Sequence, residues 1–110
     1  MKLPDFFELH IEKEKITEYL LNIRHPDGMS KANFFMNFGF TKENWKLFSV
    51  NLIKMCYIYE IQDQENTNYG TKFIFEGKIN TPDGRNPEIK TIWFVPKNDN
   101  IAKLVTAYPL

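Results

Sequence analysis

After Tyr57 the hydrophobic period of this chain changes, and that change limits the possible folds more than any motif does. Before it, apolar residues recur at helical spacing. Ile16, Tyr19, Leu20 and Ile23 share one face of a first helix beginning near Glu12, and Trp45, Phe48, Leu52, Ile53 and Cys56 share a face of a later one. Beyond Tyr57 the period is two: Ile58, Glu60, Gln62 and Gln64 alternate with Tyr59, Ile61, Asp63 and Glu65. Further strands are predicted over 71–79, 89–96 and 101–108. Helices first and strands after predict an α+β fold: about three N-terminal helices followed by a four-stranded antiparallel β-sheet.

Local punctuation fits this division. Pro26 and Gly28 break the first helix, and Ser30 is a plausible N-cap for a short second one carrying Ala32, Phe34, Phe35 and Phe38. Gly39 stands where a left-handed cap glycine closes that helix. Thr41 reads as the next N-cap, with the third helix running to about Met55 or Tyr57. Residues 66–70, 81–87 and 97–100 read as turns, and residues 5–11 as a short extended entry. In the last strand, strict alternation would place Leu104, Thr106 and Tyr108 on one face.

The 110 residues make one domain, 1–110, without repeats or a linker. Fourteen Lys and Arg balance fourteen Asp and Glu. That balance weighs against a dedicated nucleic-acid coat protein, which needs a positive excess, but not against an enzyme with a small local basic cleft. One cysteine forbids an intrachain disulfide, and Cys56 reads as a buried, inert thiol. With two His and that single Cys, no metal site and no cofactor are expected. No stretch approaches the roughly 20 apolar residues of a membrane span, and no signal peptide is evident, so a cytoplasmic location is expected.

Residues with candidate chemistry cluster near predicted element ends. His25, held extended by Pro26, titrates near neutrality in its reference state and has the chemistry of a general base toward a ribose 2′-hydroxyl. Lys31, just inside the second helix, places an ammonium beside free N–H groups, a setting for a phosphate. Thr106 offers a hydroxyl to a phosphoryl oxygen, and Tyr108 a ring to a base. Trp93 and Thr71 stand behind them. His10 is the other histidine, a weaker candidate for a second proton-transfer group. Each also has a plain structural reading, as a solvated or core residue. No phosphate loop, nucleophile elbow or calcium loop is present.

A succession of short anchors resembles a bacterial family of domains of unknown function. They include Lys15-Ile16-Thr17-Glu18-Tyr19-Leu20-Leu21, His25-Pro26-Asp27-Gly28, Lys31-Ala32-Asn33-Phe34-Phe35, Thr81-Pro82-Asp83-Gly84 and the closing Thr106-Ala107-Tyr108-Pro109. More distantly, the layout is similar to ribonucleases of the barnase, EndoU, colicin and RelE type. That resemblance implies a metal-independent endoribonuclease of toxin type with His25, Lys31 and Thr106 as catalytic residues. Tyr108, Trp93 and Thr71 would then contact substrate. The implied partners are RNA and a cognate protein inhibitor. The chain departs from the EndoU pattern in having no second histidine among its anchors. The alternative is a non-catalytic interaction or immunity-type module that binds a partner chain.

Overall fold

A computed structural model describes residues 1–110. The chain begins with a short strand, β1 (Glu8–His10), and then enters α1, an α-helical turn at Lys13–Lys15 that widens into a π-helical turn at Ile16–Leu20. Helices α2 (Met29–Asn37) and α3 (Trp45–Ile58) follow, and then strands β2 (Asp63–Asn66), β3 (Gly70–Lys78), β4 (Glu88–Pro96) and β5 (Ile101–Pro109). The sheet order is β1-β5-β4-β3-β2. The fold is α+β, and β2 to β5 form an antiparallel meander.

Besides α2, which starts from Gly28 and not from a Ser30 cap, three details differ from the sequence expectation. The sheet has a fifth strand: β1 pairs parallel with β5, with Leu9 opposite Ala102, so the sheet is mixed rather than purely antiparallel. Three residues are too few to carry a period, and their partner lies at the far end of the chain. Next, α3 runs on to Ile58, and β2 spans only four residues. The alternation of Tyr59 and Ile61 is real, since both pack on the core. Yet the Ile61 N–H goes to the Met1 carbonyl (2.7 Å) instead of a neighbouring strand. Third, α3 is capped from Asn44, not Thr41. The two cooperate: the Asn44 side chain accepts the Thr41 N–H (2.7 Å), and the Thr41 hydroxyl accepts the Asn44 N–H (3.2 Å).

Gly39 closes α2 as expected. At φ +103° it occupies the left-handed region, and the Phe40 N–H reaches the Phe35 carbonyl while its own N–H reaches Met36. Arg85 then ties the loop after β3 to this helix end. Its guanidinium donates to the Asn37 carbonyl (2.7 Å), lies 4.3 Å from the Phe38 ring centroid, and pairs with Asp83.

The helices cover one face of the sheet. Ile16, Leu20, Phe35, Phe48, Leu52 and Met55 meet Phe73, Phe75, Ile89, Trp93, Leu104 and Ala107 there. Along β4, Ile89, Thr91, Trp93 and Val95 point into this core, and the Trp93 indole N–H is given to the Thr91 hydroxyl (3.1 Å). The opposite face, with Lys90, Ile92 and Phe94, is uncovered and half-exposed. Cys56 is buried as expected, and burial pushes its thiol pKa up. No helix is long and apolar enough to cross a membrane.

Candidate functional site

The last strand does not keep its alternation. Ile92 pairs with Thr106 but Trp93 with Leu104, so Val105 has no opposite number and bulges. The extra residue breaks the period of two. Leu104 stays in the core, while Thr106 and Tyr108 turn to the uncovered face and remain half-exposed. Leu104, Thr106 and Tyr108 therefore do not share a face, and the bulge is the reason.

Thr106 meets Tyr19 across this edge. The two hydroxyl groups are 3.0 Å apart, and the Lys31 ammonium donates to the same phenol oxygen at 2.7 Å. Lys31 also donates to the Asp27 carbonyl (3.3 Å), which ties it to the loop that precedes α2. A second ammonium, on Lys15 one helical turn before Tyr19, lies 5.3 Å from the ring centroid. Partial burial opposes ionisation of the Tyr19 phenol. The hydrogen bonds from Lys31 and Thr106 and the charges of Lys31 and Lys15 outweigh it, so the pKa lies below the ordinary tyrosine value.

His25 meets this group edge-on, its ring centroid 5.0 Å from that of Tyr19. Its Nδ1 accepts two backbone N–H groups, those of Asp27 (3.0 Å) and Gly28 (3.1 Å). A ring nitrogen that accepts hydrogen bonds carries no proton, so the neutral imidazole holds its proton on Nε2. Gly28 makes the approach possible. A Cβ there would come 2.3 Å from the Tyr19 carbonyl oxygen, so only glycine lets the loop lie against the π-helical turn. Such turns are frequent at functional sites.

His25, Lys31 and Thr106 thus surround one phenol. Beside it opens a depression of about 490 Å³ lined by Tyr19, His25 and Lys15, with Glu12, Glu14 and Glu18 on its rim. Tyr108 lies two residues beyond Thr106 on the same face. Trp93 is elsewhere: it is wholly buried in the core, and no ligand reaches it. Thr71 lies on β3, donating to the Asn66 side chain (3.1 Å). His10 pairs with Glu12 (3.1 Å) and lines a different hollow, with Glu8 and Lys103. No three His, Cys, Asp or Glu side chains gather as a metal-ligand set.

Sequence reasoning missed Tyr19, which reads as one more apolar residue of the first helix. Two signals pointed to it: Lys15 four residues earlier, and a glycine in the loop that must pack against that helix.

The family described as Domain of unknown function (DUF6883) matches residues 2–110. The chain belongs to that family. Its fold is shared with a chain of a contact-dependent growth inhibition toxin–immunity protein complex from Klebsiella pneumoniae 342, at 14% identity and a TM-score of 0.75. The superposition covers 91% of this chain and 98% of that one. No curated protein matches the sequence.

Proposed function

We propose that the protein is an endoribonuclease of toxin type that cleaves RNA by internal transesterification. The observation that carries this reading is the Tyr19 phenol, held by Lys31 and Thr106 together and depressed in pKa. A phenolate beside a bound phosphate takes the proton of a ribose 2′-hydroxyl. The 2′-oxygen then bonds to phosphorus as the bond to the 5′-oxygen breaks, leaving a 2′,3′-cyclic phosphate. The Lys31 ammonium protonates the departing 5′-oxygen. The 2.7 Å bond between Lys31 and Tyr19 lets the proton taken from the 2′-hydroxyl pass back to the amine, which restores the starting state. Thr106 and the His25 Nε2–H donate to the non-bridging phosphoryl oxygens.

This assigns His25 a different task from general base. Its Nδ1 lone pair is occupied by two backbone N–H groups, so proton acceptance passes to Tyr19. The test is cleavage of a mixed single-stranded RNA by purified protein in the presence of a chelator, with products examined for cyclic phosphate ends. Tyr19→Phe keeps the ring and its packing. Its rate is expected to fall by roughly 10²- to 10⁴-fold, the usual contribution of a positioned base. A Tyr19→Phe protein that cuts RNA at the wild-type rate ends this reading.

A protein-interaction module is the second reading, and it rests on α3. Leu47, Val50, Tyr57 and Ile58 are exposed along that helix, an apolar stripe without a covering element. The fold's likeness to a chain of a toxin–immunity complex is compatible with it. Under this reading the Tyr19 group has no chemical task, and RNA survives incubation with the wild-type protein.

A further inference from the structure

The uncovered face of the sheet joins the Tyr19 group at Thr106. Ile92 stands directly opposite Thr106 on β4. Two residues along in one direction is Tyr108, opposite Lys90; two along in the other is Phe94, opposite Lys103. Strand geometry puts each ring about 7 Å from the Thr106 level, on opposite sides of it. Both rings are partly buried, each with some surface open to solvent. Phe94 extends across the neighbouring strand, where a Cβ on Gly70 would meet its Cζ at 2.6 Å. The missing side chain lets the ring lie low over β3 instead of standing out from the sheet.

Charge on this face is graded. Glu65 and Asp63 lie at the β2 edge, opposite Lys72 and Ile74. Toward β5 stand Lys90, bonded to Glu76 at 3.2 Å, and Lys103, which is exposed, has no ion pair and shares a hollow with Glu8 and Glu12. The depression beside Tyr19 and His25 also carries Glu12, Glu14 and Glu18, which repel the rest of a phosphate chain. A polyanion that reaches Thr106 is therefore guided along β4 and β5, away from both acidic borders.

We propose that the open face of β4 and β5 is a platform for single-stranded RNA, on which Phe94 and Tyr108 stack the nucleotides to either side of the phosphate at Thr106. The proposal rests on the ribonuclease reading for the position of that phosphate. Its substrate class follows from the rings: a base reaches an aromatic face only when it is free of a helix stack. Flat rings accept every base, so the platform favours single strands over duplexes without selecting a sequence.

The test separates binding from cleavage. A short single-stranded RNA with 2′-O-methyl groups throughout cannot be cut by transesterification, and its affinity is read by fluorescence anisotropy beside a duplex of the same sequence. The wild type is expected to prefer the single strand. Phe94→Leu and Tyr108→Leu keep apolar volume but remove the π-face, and each is expected to weaken single-strand binding about 5- to 150-fold. Tyr108→Phe retains the ring and is expected to bind like wild type. Equal affinity for single strand and duplex, unchanged affinity in both Leu variants, or no RNA binding at all would each overturn the platform. The two readings fail separately. Normal cleavage with ring-independent binding removes the platform alone. Ring-dependent binding by a protein that cuts no RNA removes the nuclease chemistry alone.

Discussion

β4 shows two regions of the molecule in one strand. On one side Ile89, Thr91, Trp93 and Val95 are sealed against the helices; on the other Lys90, Ile92 and Phe94 stand half-open to water. Both sides carry large apolar residues, so hydrophobicity does not separate them. What differs is partnership. Every polar atom on the sealed side is paired, including the Trp93 indole with Thr91. On the open side two aromatic rings and an unpaired lysine flank a hydroxyl that serves the Tyr19 group. The sealed face holds the fold together, and the open face is available for binding.

The largest expected effect tests this division directly. Trp93→Ala removes a wholly buried ring and strands the Thr91 hydroxyl, and it is expected to cost about 3–5 kcal/mol of unfolding free energy. Phe94→Ala, one residue away, loses a ring that is only partly buried and is expected to cost about 1–2 kcal/mol. Chemical denaturation of the two variants measures the contrast. Equal losses would mean that the open face is a second core, and the comparison would break.

The next effect concerns the residue that moves β5 from one region to the other. Deleting Val105 removes the bulge but sets Thr106 directly after Leu104, so strict alternation keeps Thr106 opposite Ile92 on the open face. RNA cleavage is expected to stay within about 10-fold of wild type, since the facing that gives Thr106 its bond to the phenol is kept. Val105→Ala keeps the bulge and is expected to retain activity within a factor of about two. Its exposed side chain contributes little to packing. A deletion variant that cuts no RNA while Val105→Ala stays active would show that Thr106 needs the bulge itself, and not only its facing, to meet Tyr19.

The two regions were unequally legible in the sequence. The core face could be read because burial is periodic: Ile89, Thr91, Trp93 and Val95 alternate, and Phe48, Leu52 and Cys56 recur at helical spacing. The cap at Gly39 followed from its position after an apolar run. Thr106 illustrates the opposite case, because its orientation depends on one unpaired residue, which no period announces. β1 was hidden for a related reason, since its partner lies some ninety residues on. His25, Lys31 and Thr106 were accessible as residue types, but the phenol that joins them was not. Tyr19 sits on a helix whose spacing explains it as packing, and its three partners come from separate elements. Trp93, by contrast, carried an attractive residue type into a position that burial had already claimed.

The smallest expected effect is a shift in pH dependence, and it sharpens the open region's role. If the Tyr19 phenolate is the base and the Lys31 ammonium the acid, the rate rises with pH through an inflection as the phenol ionises, reaches a plateau and falls again when the acid loses its proton. That inflection lies below the ordinary value of 10.0, because the bonds from Lys31 and Thr106 and the nearby ammonium groups overcome the effect of burial. Thr106→Val removes one of those bonds and leaves both lysines, so the inflection is expected to move up while the plateau falls modestly. Lys15→Met removes only a charge near the ring, so a smaller upward move is expected with the plateau unchanged. Lysine removal would alter affinity for RNA but leave the inflection in place if the base lay away from Lys15. An upward shift in Lys15→Met at unchanged plateau therefore places the titrating group beside Lys15, the larger shift in Thr106→Val identifies it as Tyr19, and an unmoved inflection in both assigns the proton transfer to another residue.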